Sequence, residues 1–348
     1  MQPFHASQID DSIPVVSVVM PIYNSAKFLA LAIDSILAQS FPDFELLIID
    51  DASTDNGADI INCYQDLRIR YVKNEKNVGV AASRNCGIKL ARGEFIAQMD
   101  QDDIARPNRL ALQVSFLRAN PEIGLCGGQI IKMMGNSRHL VQYPCDHDEI
   151  CVTLLFHSCF AHPTVMARRK ILIEHNLFYD EGFRNLEDYE LWTRLVEKTR
   201  TSNLPNVLLD YRCHQHQLSG ESSDLVYSLR RRLHRRVISR FIQSPSEEEL
   251  LLHGMISIHH DPFNGEQLKR SENWLIKLLQ ANDRMGVYER KAMQKVFSSR
   301  WAAVCGQAMP LTIRVYWLFL LSPLSNGALF TLRSLKLLVK CILSKTYA

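Results

Sequence analysis

The chain has 348 residues, of which 47% are hydrophobic and 22% are charged, and its formal net charge is +3. This is the composition of an ordinary globular protein that is long enough for two domains. Nine cysteines occur without a C-x-x-C pair, which excludes a zinc knuckle and a small disulfide scaffold and favours a reducing compartment.

The charge is distributed unevenly along the chain. Residues 1–220 contain 21 basic and 27 acidic residues, whereas residues 221–348 contain 19 basic and 10 acidic residues. The basic C-terminal region predicts contact with something anionic, either a membrane surface or a polymer. The first 14 residues are polar and include Asp10 and Asp11, which is not typical of a signal peptide. We therefore expect a cytoplasmic protein that is peripheral on the inner face of the cytoplasmic membrane.

Strands and helices are predicted to alternate in the first part of the chain. Hydrophobic patterns predict strands at 15–20, 45–49, 69–73, 94–99, 123–133, 161–167 and 204–211. They predict helices at 28–39, 57–64, 80–91, 107–118 and 186–198. This alternation predicts an α/β fold with a mostly parallel sheet that is flanked by helices.

Beyond Gly220 the pattern changes to helices alone. These are predicted at 225–241, 247–259, 265–282 and 288–305. We therefore predict an α/β domain at residues 1–220 and a basic helical C-terminal region at residues 221–348.

Three polar clusters follow predicted strands of the α/β domain. They are Pro21-Ile22-Tyr23-Asn24, Asp50-Asp51 and the segment from Asp100 to Asp103. Ligands of such folds bind outside the carboxyl ends of the strands. The convergence of three clusters on that edge is the main physical argument for an active site there.

The segment Asp100-Gln101-Asp102-Asp103 places three carboxylates within four positions. Like charges this close repel one another unless a cation lies between them. Mg²⁺ and Mn²⁺ prefer oxygen ligands, and an ion with few protein ligands keeps positions open for phosphate oxygens. The segment therefore favours a nucleotide-diphosphate site. The alternative is an acidic turn in which Asp103 caps the helix predicted to begin near Pro107.

Further candidates lie at two other strand or helix ends. Asp51 can accept a hydrogen bond from a nucleotide base, such as the N3–H of uracil; the alternative, an Asx-turn, suits Asp55 better. Arg84 lies in the second turn of a helix that Gly79 opens, where a guanidinium suits a phosphate or a facing carboxylate. The glycine pattern there is not a dinucleotide fingerprint, and the chain has no G-x-x-x-x-G-K-[ST] loop.

The helix predicted at 186–198 begins with Glu187 and Asp188. Acidic residues at this position can simply cap the helix. The functional alternative is a carboxylate base at Asp188, whose pKa the adjacent Glu187 tends to raise. Residues 211–219 are rich in hydrogen-bond donors and are either a solvated loop or a lid over a diphosphate.

Together these motifs resemble the family 2 glycosyltransferases with the GT-A fold, and the resemblance covers about residues 14–220. The motifs occur in the family's order: S-V-V-M-P-I-Y-N at 17–24, I-D-D-A-S-T-D at 49–55, residues 77–87, D-Q-D-D at 100–103, H-P-T at 162–164, E-D-Y at 187–189 and Y-R-C-H at 211–214. The chain is most similar to bacterial enzymes that build lipopolysaccharide and other surface glycans. The resemblance thus implies a GT-A catalytic domain at residues 1–220.

The resemblance also implies roles for individual residues. Pro21, Tyr23 and Asp51 would hold the nucleotide base, and Asp51 would contact uracil. Arg84 would lie near the base or the phosphates. Asp100 would contact the ribose or the metal. Asp102 would be the direct ligand of Mn²⁺ or Mg²⁺, and Asp103 would support it or cap a helix. Asp188 would be the catalytic base, supported by Glu187. Arg212 and His214 would steady the diphosphate or the closing loop.

The expected reaction is inverting, metal-dependent transfer of one sugar from a nucleotide-sugar donor, UDP-linked, to a hydroxyl of a glycan or glycolipid acceptor. The Q-x-x-R-W motif of processive synthases is replaced by Q-H-Q-L-S at 215–219, which favours a single transfer. One alternative is a nucleotidyltransferase that acts on sugar phosphates, although the first strand lacks the Gly/Lys/Arg-rich loop that such enzymes use. Another is a catalytically silent sugar-nucleotide-binding scaffold at the membrane.

The C-terminal tail contains an uncharged segment, 315–332, that Pro323 interrupts. A spanning helix needs about 20 apolar residues, so we expect two short apolar segments instead. Residues 335–343 follow, with Lys336, Lys340 and then Lys345. Cationic amphipathic segments bind anionic headgroups, which predicts docking at the membrane interface. The alternative is a buried helical hairpin, and no nucleic-acid partner is expected because the basic stretches lack an aromatic stacking platform.

Overall fold

The computed structural model describes residues 13–214, 224–258, 262–325 and 332–343. The chain divides into two compact units, the first from Met1–Cys145 and Phe160–Glu221 and the second from Asp146–Cys159 and Ser222–Ala348. The sequence pattern gave no indication that residues 146–159 belong with the C-terminal helices. The predictions made for residues 1–12, 215–219, 259, 326–331 and 345 lie outside the described residues.

The first unit is built on a sheet with the strand order β3-β2-β1-β4-β8-β6-β9-β5, and β7 pairs with β6. The strands are β1 Val16–Ile22, β2 Phe44–Asp50, β3 Ile69–Lys73, β4 Phe95–Gln98, β5 Ile104–Ala105, β6 Ile123–Met134, β7 Ser137–Val141, β8 Met166–Arg168 and β9 Arg200–Arg212. The pairs β1–β2, β1–β4, β2–β3 and β6–β9 are parallel. The pairs that involve β5, β7 and β8 are antiparallel and mostly shorter. The predicted mostly parallel sheet is confirmed.

Helices pack on this sheet through apolar faces. They are α1 Ala26–Leu37, α2 Gly57–Asn62, α3 Val80–Leu90, α4 Arg109–Ala119, α6 Arg169–Glu174 and α7 Glu187–Leu195. Helix α1 buries Leu29, Ala32, Ile33 and Ile36, which recur at the three- and four-residue spacing of one helical face. Helix α3 approaches β1 so closely that a Cβ on Gly87 would lie 2.3 Å from Val19 Cγ1. Glycine at 87 therefore lets α3 lie directly against the central strand.

The strand predicted at 161–167 is wrong for most of its length. Residues His162–Thr164 form a short 3-10 turn, and β8 begins only at Met166. Pro163 lacks the N–H that a central strand must donate. The N–H and hydroxyl of Thr164 both donate to the carbonyl of Ala161, at 2.9 and 2.7 Å, so local hydrogen bonds replace strand pairing.

The second unit is helical among its described residues. Its helices are α5 His147–Thr153, α8 Asp224–Ile238, α9 Glu247–Ile258, α10 Gly265–Met285, α11 Arg290–Cys305, α12 Ile313–Leu321 and α13 Leu332–Leu343. Trp301, Phe297 and Phe263 lie in its buried apolar core. Helix α10 begins with a capping box between Asn264 and Gln267. Within the described ranges, none of the helices combines the length and the apolar character needed to cross a bilayer.

Two buried histidines hold the segment 146–159 in the second unit. The Trp274 indole N–H donates to His253 Nδ1 at 3.2 Å, so the ring hydrogen of neutral His253 is on Nε2, which lies 2.8 Å from the Leu155 carbonyl oxygen. His234 Nε2 lies 3.3 Å from the Phe156 carbonyl oxygen. Burial lowers the pKa of His253 to about 4, although the Leu155 carbonyl opposes this effect. Neutral imidazoles thus satisfy carbonyl groups that would otherwise be buried without partners.

This arrangement predicts a loss of stability in mild acid. Unfolded His253 takes up a proton as the pH falls below about 6.5, whereas the folded form resists protonation until about pH 4. The free energy of unfolding should therefore decrease as the pH is lowered from about 6.5 to about 4. His253 contributes about 1.4 kcal/mol to this decrease per pH unit. In urea titrations at several pH values, His253→Gln should show a correspondingly shallower dependence than the wild type. His139→Gln, at an exposed position on β7, is the matched control, and equal slopes for His253→Gln and wild type would contradict the prediction.

Candidate active site

The loops after β1 and β2 are tied to each other at the carboxyl edge of the sheet. Asn24 and Ala52 both have positive φ angles, of 47° and 61°. The Asn24 N–H donates to Ser53 Oγ at 3.1 Å, and Asn24 Oδ1 accepts from the Thr54 N–H at 2.9 Å. Left-handed backbone at non-glycine residues is uncommon and persists where surrounding contacts impose it. The edge is therefore held in a fixed shape by its own hydrogen bonds.

Asp51 connects this edge to the start of α3. Its Oδ1 accepts from the Asn74 amide and the Val78 N–H, each at 2.9 Å, and its Oδ2 accepts from the Gly79 N–H at 2.8 Å. Gly79 has φ = 91°, a conformation that L-residues with a side chain rarely adopt. The Asx-turn belongs to Asp55, whose Oδ1 accepts from the Gly57 N–H at 3.0 Å.

Tyr23 and Pro21 lie at the same edge. Pro21 is buried within β1, opposite Ile49 of β2, whereas the Tyr23 side chain is exposed. The Tyr23 N–H donates to Gln101 Oε1 at 2.7 Å, which ties the β1 loop to the acidic segment. Gln101 was not among the predicted site residues, since an amide between carboxylates carries no distinctive sequence signal.

Arg84 joins two predicted carboxylates that are far apart in the sequence. It is buried on α3 and donates to Asp100 Oδ1 at 3.2 Å and to Glu187 Oε1 at 2.9 Å. Its guanidinium also lies over the Tyr179 ring, 5.6 Å from the centroid. The structure thus places Arg84 between the end of β4 and the start of α7, where its single positive charge is shared by both carboxylates.

His162 is a site residue that sequence reasoning did not assign a role. Its Nε2 lies 2.9 Å from the Tyr179 hydroxyl, and its Nδ1 lies 3.6 Å from Asp100 Oδ1. The ring also stacks on Trp192, with 6.2 Å between centroids. Burial alone raises the pKa of Asp100, but the contact with His162 and the charge of Arg84 outweigh it and hold this pKa well below its usual range. The H-P-T motif at 162–164 was the available signal.

The acidic segment contacts the end of β9. His214 Nε2 lies 2.7 Å from Asp102 Oδ2. The Arg212 N–H donates to Asp103 Oδ1 at 2.8 Å, and Arg212 Nε–H donates to the Asp102 carbonyl at 3.0 Å. Burial, with the negative charge of Asp100 added, raises the pKa of Asp102 and raises that of Asp103 further. Arg212 and His214 therefore lie beside the acidic segment, and the role at a diphosphate that the resemblance implies for them stays a prediction.

The donor atoms of this segment fit a divalent cation in part. In the described parts of the chain, no group of three or more His, Cys, Asp or Glu side chains is placed to hold a metal ion. Asp102 and His214 nevertheless offer a carboxylate oxygen and an imidazole nitrogen within 2.7 Å of each other, and both groups bind Mn²⁺. The pKa of Asp102 is raised, which means that its ionised form is disfavoured. A bound cation would stabilise that ionised form. Within the described residues, the Asp102–His214 pair thus offers two of the donor atoms that such an ion could use.

Asp188 lies in the first turn of α7 and is half-buried. Its Oδ1 accepts from the Tyr189 N–H at 2.6 Å. Burial raises the pKa of Asp188, and the negative charge of Glu187 raises it further, while His162 and Arg84 oppose the shift. Glu187 Oε2 is buried and has no hydrogen-bond partner among the described residues. The pair therefore presents one carboxylate bound to Arg84 and one whose basicity is increased.

The contacts of Asp51 predict a role in stability. Asp51→Ala would leave the Val78 and Gly79 N–H groups without their acceptor and would remove one of the two acceptors of the Asn74 amide. Because the loop 74–79 is partly exposed to water, we expect the free energy of unfolding to fall by about 2 kcal/mol in urea titration. Asp59→Ala, at an exposed residue in the first turn of α2, should change it by less than about 0.5 kcal/mol. If Asp51→Ala were as stable as the wild type, these hydrogen bonds would not hold the loop.

Comparison with known proteins agrees with this fold. The structure of S. aureus TarS residues 1–349, solved with UDP-GlcNAc, aligns with a TM-score of 0.55 and 21% identity and covers 83% of this chain and 86% of that one. This likeness identifies the GT-A fold, as predicted. Residues 17–176 match the family described as glycosyl transferase family 2.

Two curated relatives are from Escherichia coli. The O-antigen biosynthesis glycosyltransferase WbnJ is 32% identical over 246 residues, which are 66% of this chain and 92% of WbnJ. The UDP-Glc:alpha-D-GlcNAc-diphosphoundecaprenol beta-1,3-glucosyltransferase WfgD is 30% identical over 234 residues, which are 66% of this chain and 88% of WfgD. The chain belongs to glycosyltransferase family 2, which confirms the resemblance found in the sequence.

Proposed function

We propose that the chain transfers one sugar from a UDP-sugar to a hydroxyl of a lipid-linked glycan, with inversion at the anomeric carbon, in surface polysaccharide biosynthesis. The observation that carries this proposal is the network Asp188–Glu187–Arg84–Asp100, which joins a carboxylate of raised pKa to the acidic end of β4. The names of WbnJ and WfgD, an O-antigen glycosyltransferase and a glucosyltransferase that acts on a diphosphoundecaprenol-linked sugar, support the pathway and the acceptor class.

Asp51 supports a uracil base in the donor. A carboxylate has about four acceptor positions, and three of those on Asp51 are taken by Asn74, Val78 and Gly79. The remaining position, on Oδ2, suits the N3–H of uracil, whereas cytosine presents an acceptor at N3 and would be repelled. The exposed ring of Tyr23 at the same edge is available to the base, and Pro21, two residues earlier in the chain, would support it from within β1.

Asp102 and His214 would hold Mn²⁺ or Mg²⁺, with Asp100 beside them toward the ribose. When bound, such an ion neutralises the charge that develops on a departing nucleoside diphosphate. Arg212 holds Asp103 and the Asp102 carbonyl in place through two hydrogen bonds. His214 and Arg212 also bring the end of β9 next to the acidic segment, where the donor's diphosphate would lie.

Asp188 would act as the base of the reaction. Its carboxylate removes the proton of the acceptor hydroxyl as the hydroxyl oxygen attacks the anomeric carbon. A raised pKa makes the carboxylate a stronger base for the proton of the acceptor hydroxyl. One displacement inverts the configuration, and no nucleophile from the protein is needed. Neither a nucleotidyltransferase nor a silent scaffold requires a base at this position.

The donor and metal assignments predict a specific pattern of nucleoside diphosphate release. We expect UDP-sugars to be turned over in the presence of Mn²⁺ or Mg²⁺, with GDP- and CMP-sugars inactive, and EDTA to abolish turnover until metal is restored. Asp102→Ala should raise the metal concentration for half-maximal activity by about tenfold or more. The reason is that the donor's phosphates bind the ion only weakly without the Asp102 carboxylate. Unaltered metal dependence in Asp102→Ala would contradict the assignment of this ligand.

The base assignment predicts separation of binding from catalysis. Asp188→Asn should bind UDP-sugar with unchanged affinity in calorimetry but lose about 10²–10⁴-fold in the rate of transfer. Glu181→Gln, which changes an exposed carboxylate shortly before α7, is the matched control and should retain full activity. Transfer by Asp188→Asn within about threefold of wild type would reject Asp188 as the base. Release of pyrophosphate from a nucleoside triphosphate would indicate a nucleotidyltransferase instead.

A further inference from the structure

Helix α13 in the second unit has two apolar faces, and among the residues that the structure describes just one of them is covered. Leu337 and Cys341 are buried in the core of the unit. Leu335, Val339 and Ile342 are 56%, 46% and 55% exposed. These three positions are spaced by four and three residues and so lie on one side of a helix. We call Leu335, Val339 and Ile342 the outer stripe of α13.

The outer stripe has basic neighbours and lies in a region without acidic residues. Lys336 and Lys340 are both exposed beside it. From residue 290 to residue 348 the sequence contains nine Lys and Arg residues and no Asp or Glu. The stretch of sequence that contains the stripe therefore carries only positive charge, and it complements an anionic surface.

Helix α12 repeats this division of faces. Val315 and Phe319 are buried in the same core that contains Leu337 and Cys341. Trp317 and Leu321 are 56% and 80% exposed. Tryptophan is enriched at membrane interfaces, where its ring is amphipathic. Two helices that share a core thus both present large apolar side chains to water.

We propose that the outer stripe of α13, with Lys336 and Lys340, docks the protein on a bilayer that contains anionic phospholipid. A helix of 12 residues is about 18 Å long, short of the roughly 30 Å hydrocarbon core, so it lies in the interface and does not span. A second copy of the chain is a poorer occupant, because a two-fold contact would bring the same lysines against each other. The proposal depends on the proposed function in one respect: docking would bring the active site to a lipid-linked acceptor.

The test is co-sedimentation of the full chain with vesicles. We expect binding to vesicles of phosphatidylcholine and phosphatidylglycerol, little binding to phosphatidylcholine alone, and release when salt reaches about 1 M and the Debye length falls to about 3 Å. The triple variant Leu335→Ser, Val339→Ser, Ile342→Ser should bind at least about tenfold more weakly. Leu251→Ser, at a leucine of the same unit that is 50% exposed, is the matched control and should bind like the wild type.

Removal of charge tests the same surface independently. Lys336→Gln with Lys340→Gln should weaken binding to anionic vesicles by about tenfold, whereas Lys269→Gln, at an exposed lysine of α10, should have little effect. The proposal is overturned by absence of vesicle binding at low salt, or by binding that survives the triple serine change. A dimer in light scattering that this change dissociates would assign the stripe to a second copy.

The failure of this proposal can be told apart from the failure of the proposed function. Donor turnover with a lipid-free acceptor analogue requires no bilayer and should be unchanged in all these variants. Circular dichroism and thermal unfolding verify that each variant is folded. If the variants of the outer stripe lose vesicle binding but keep full turnover, docking is supported. If the wild type turns over its donor but does not bind vesicles, docking is rejected and the proposed function is unaffected.

Discussion

The candidate site depends on one buried cation, Arg84. Its guanidinium binds Asp100 and Glu187, and Glu187 lies 103 residues further along the chain. Breaking a buried ion pair by removal of one partner costs about 3–5 kcal/mol, because the other charge remains in a poorly solvated place. The end of β4, the middle of α3 and the start of α7 are therefore constrained to meet. Without this contact, the carboxylates at the two ends would have no reason to face the same region.

Neighbouring carboxyl groups of the site differ in the direction of their pKa shifts. Asp100, in contact with Arg84 and near His162, has a lowered pKa, whereas burial and nearby negative charge raise the pKa of Asp102 and of Asp188. Carboxyl groups of one type thus acquire different properties from their surroundings. A permanently ionised group suits the binding of polar hydroxyls, and a more basic group suits proton removal. This division is consistent with the roles that the family resemblance assigns, which stay predictions for this chain.

Much of the fold was predictable because its first four strands have simple patterns. Strands β1, β2 and β4 are buried apolar runs that end at polar clusters, and parallel pairing then places those clusters on one edge. The 3-10 turn at His162–Thr164 was not predicted, because its short apolar surroundings suit a strand equally well. The membership of residues 146–159 in the helical unit was also unpredictable. It depends on tertiary contacts such as those from His253 and Trp274, and these leave no local periodicity.

Residue types at the site were more predictable than their partners. Carboxylates after a strand indicate a polar site from sequence alone, but the partners of Asp51 are two backbone N–H groups and one amide. Backbone donors have no side-chain signature, so no motif could have revealed them. One of these backbone donors is Gly79, which has a positive φ, and Ala52, the residue after Asp51, is in left-handed backbone. A position made largely of fixed backbone loses little conformational entropy when a ligand binds, since the loop is already ordered. The strained backbone at this edge is therefore consistent with a site that is formed before its donor arrives.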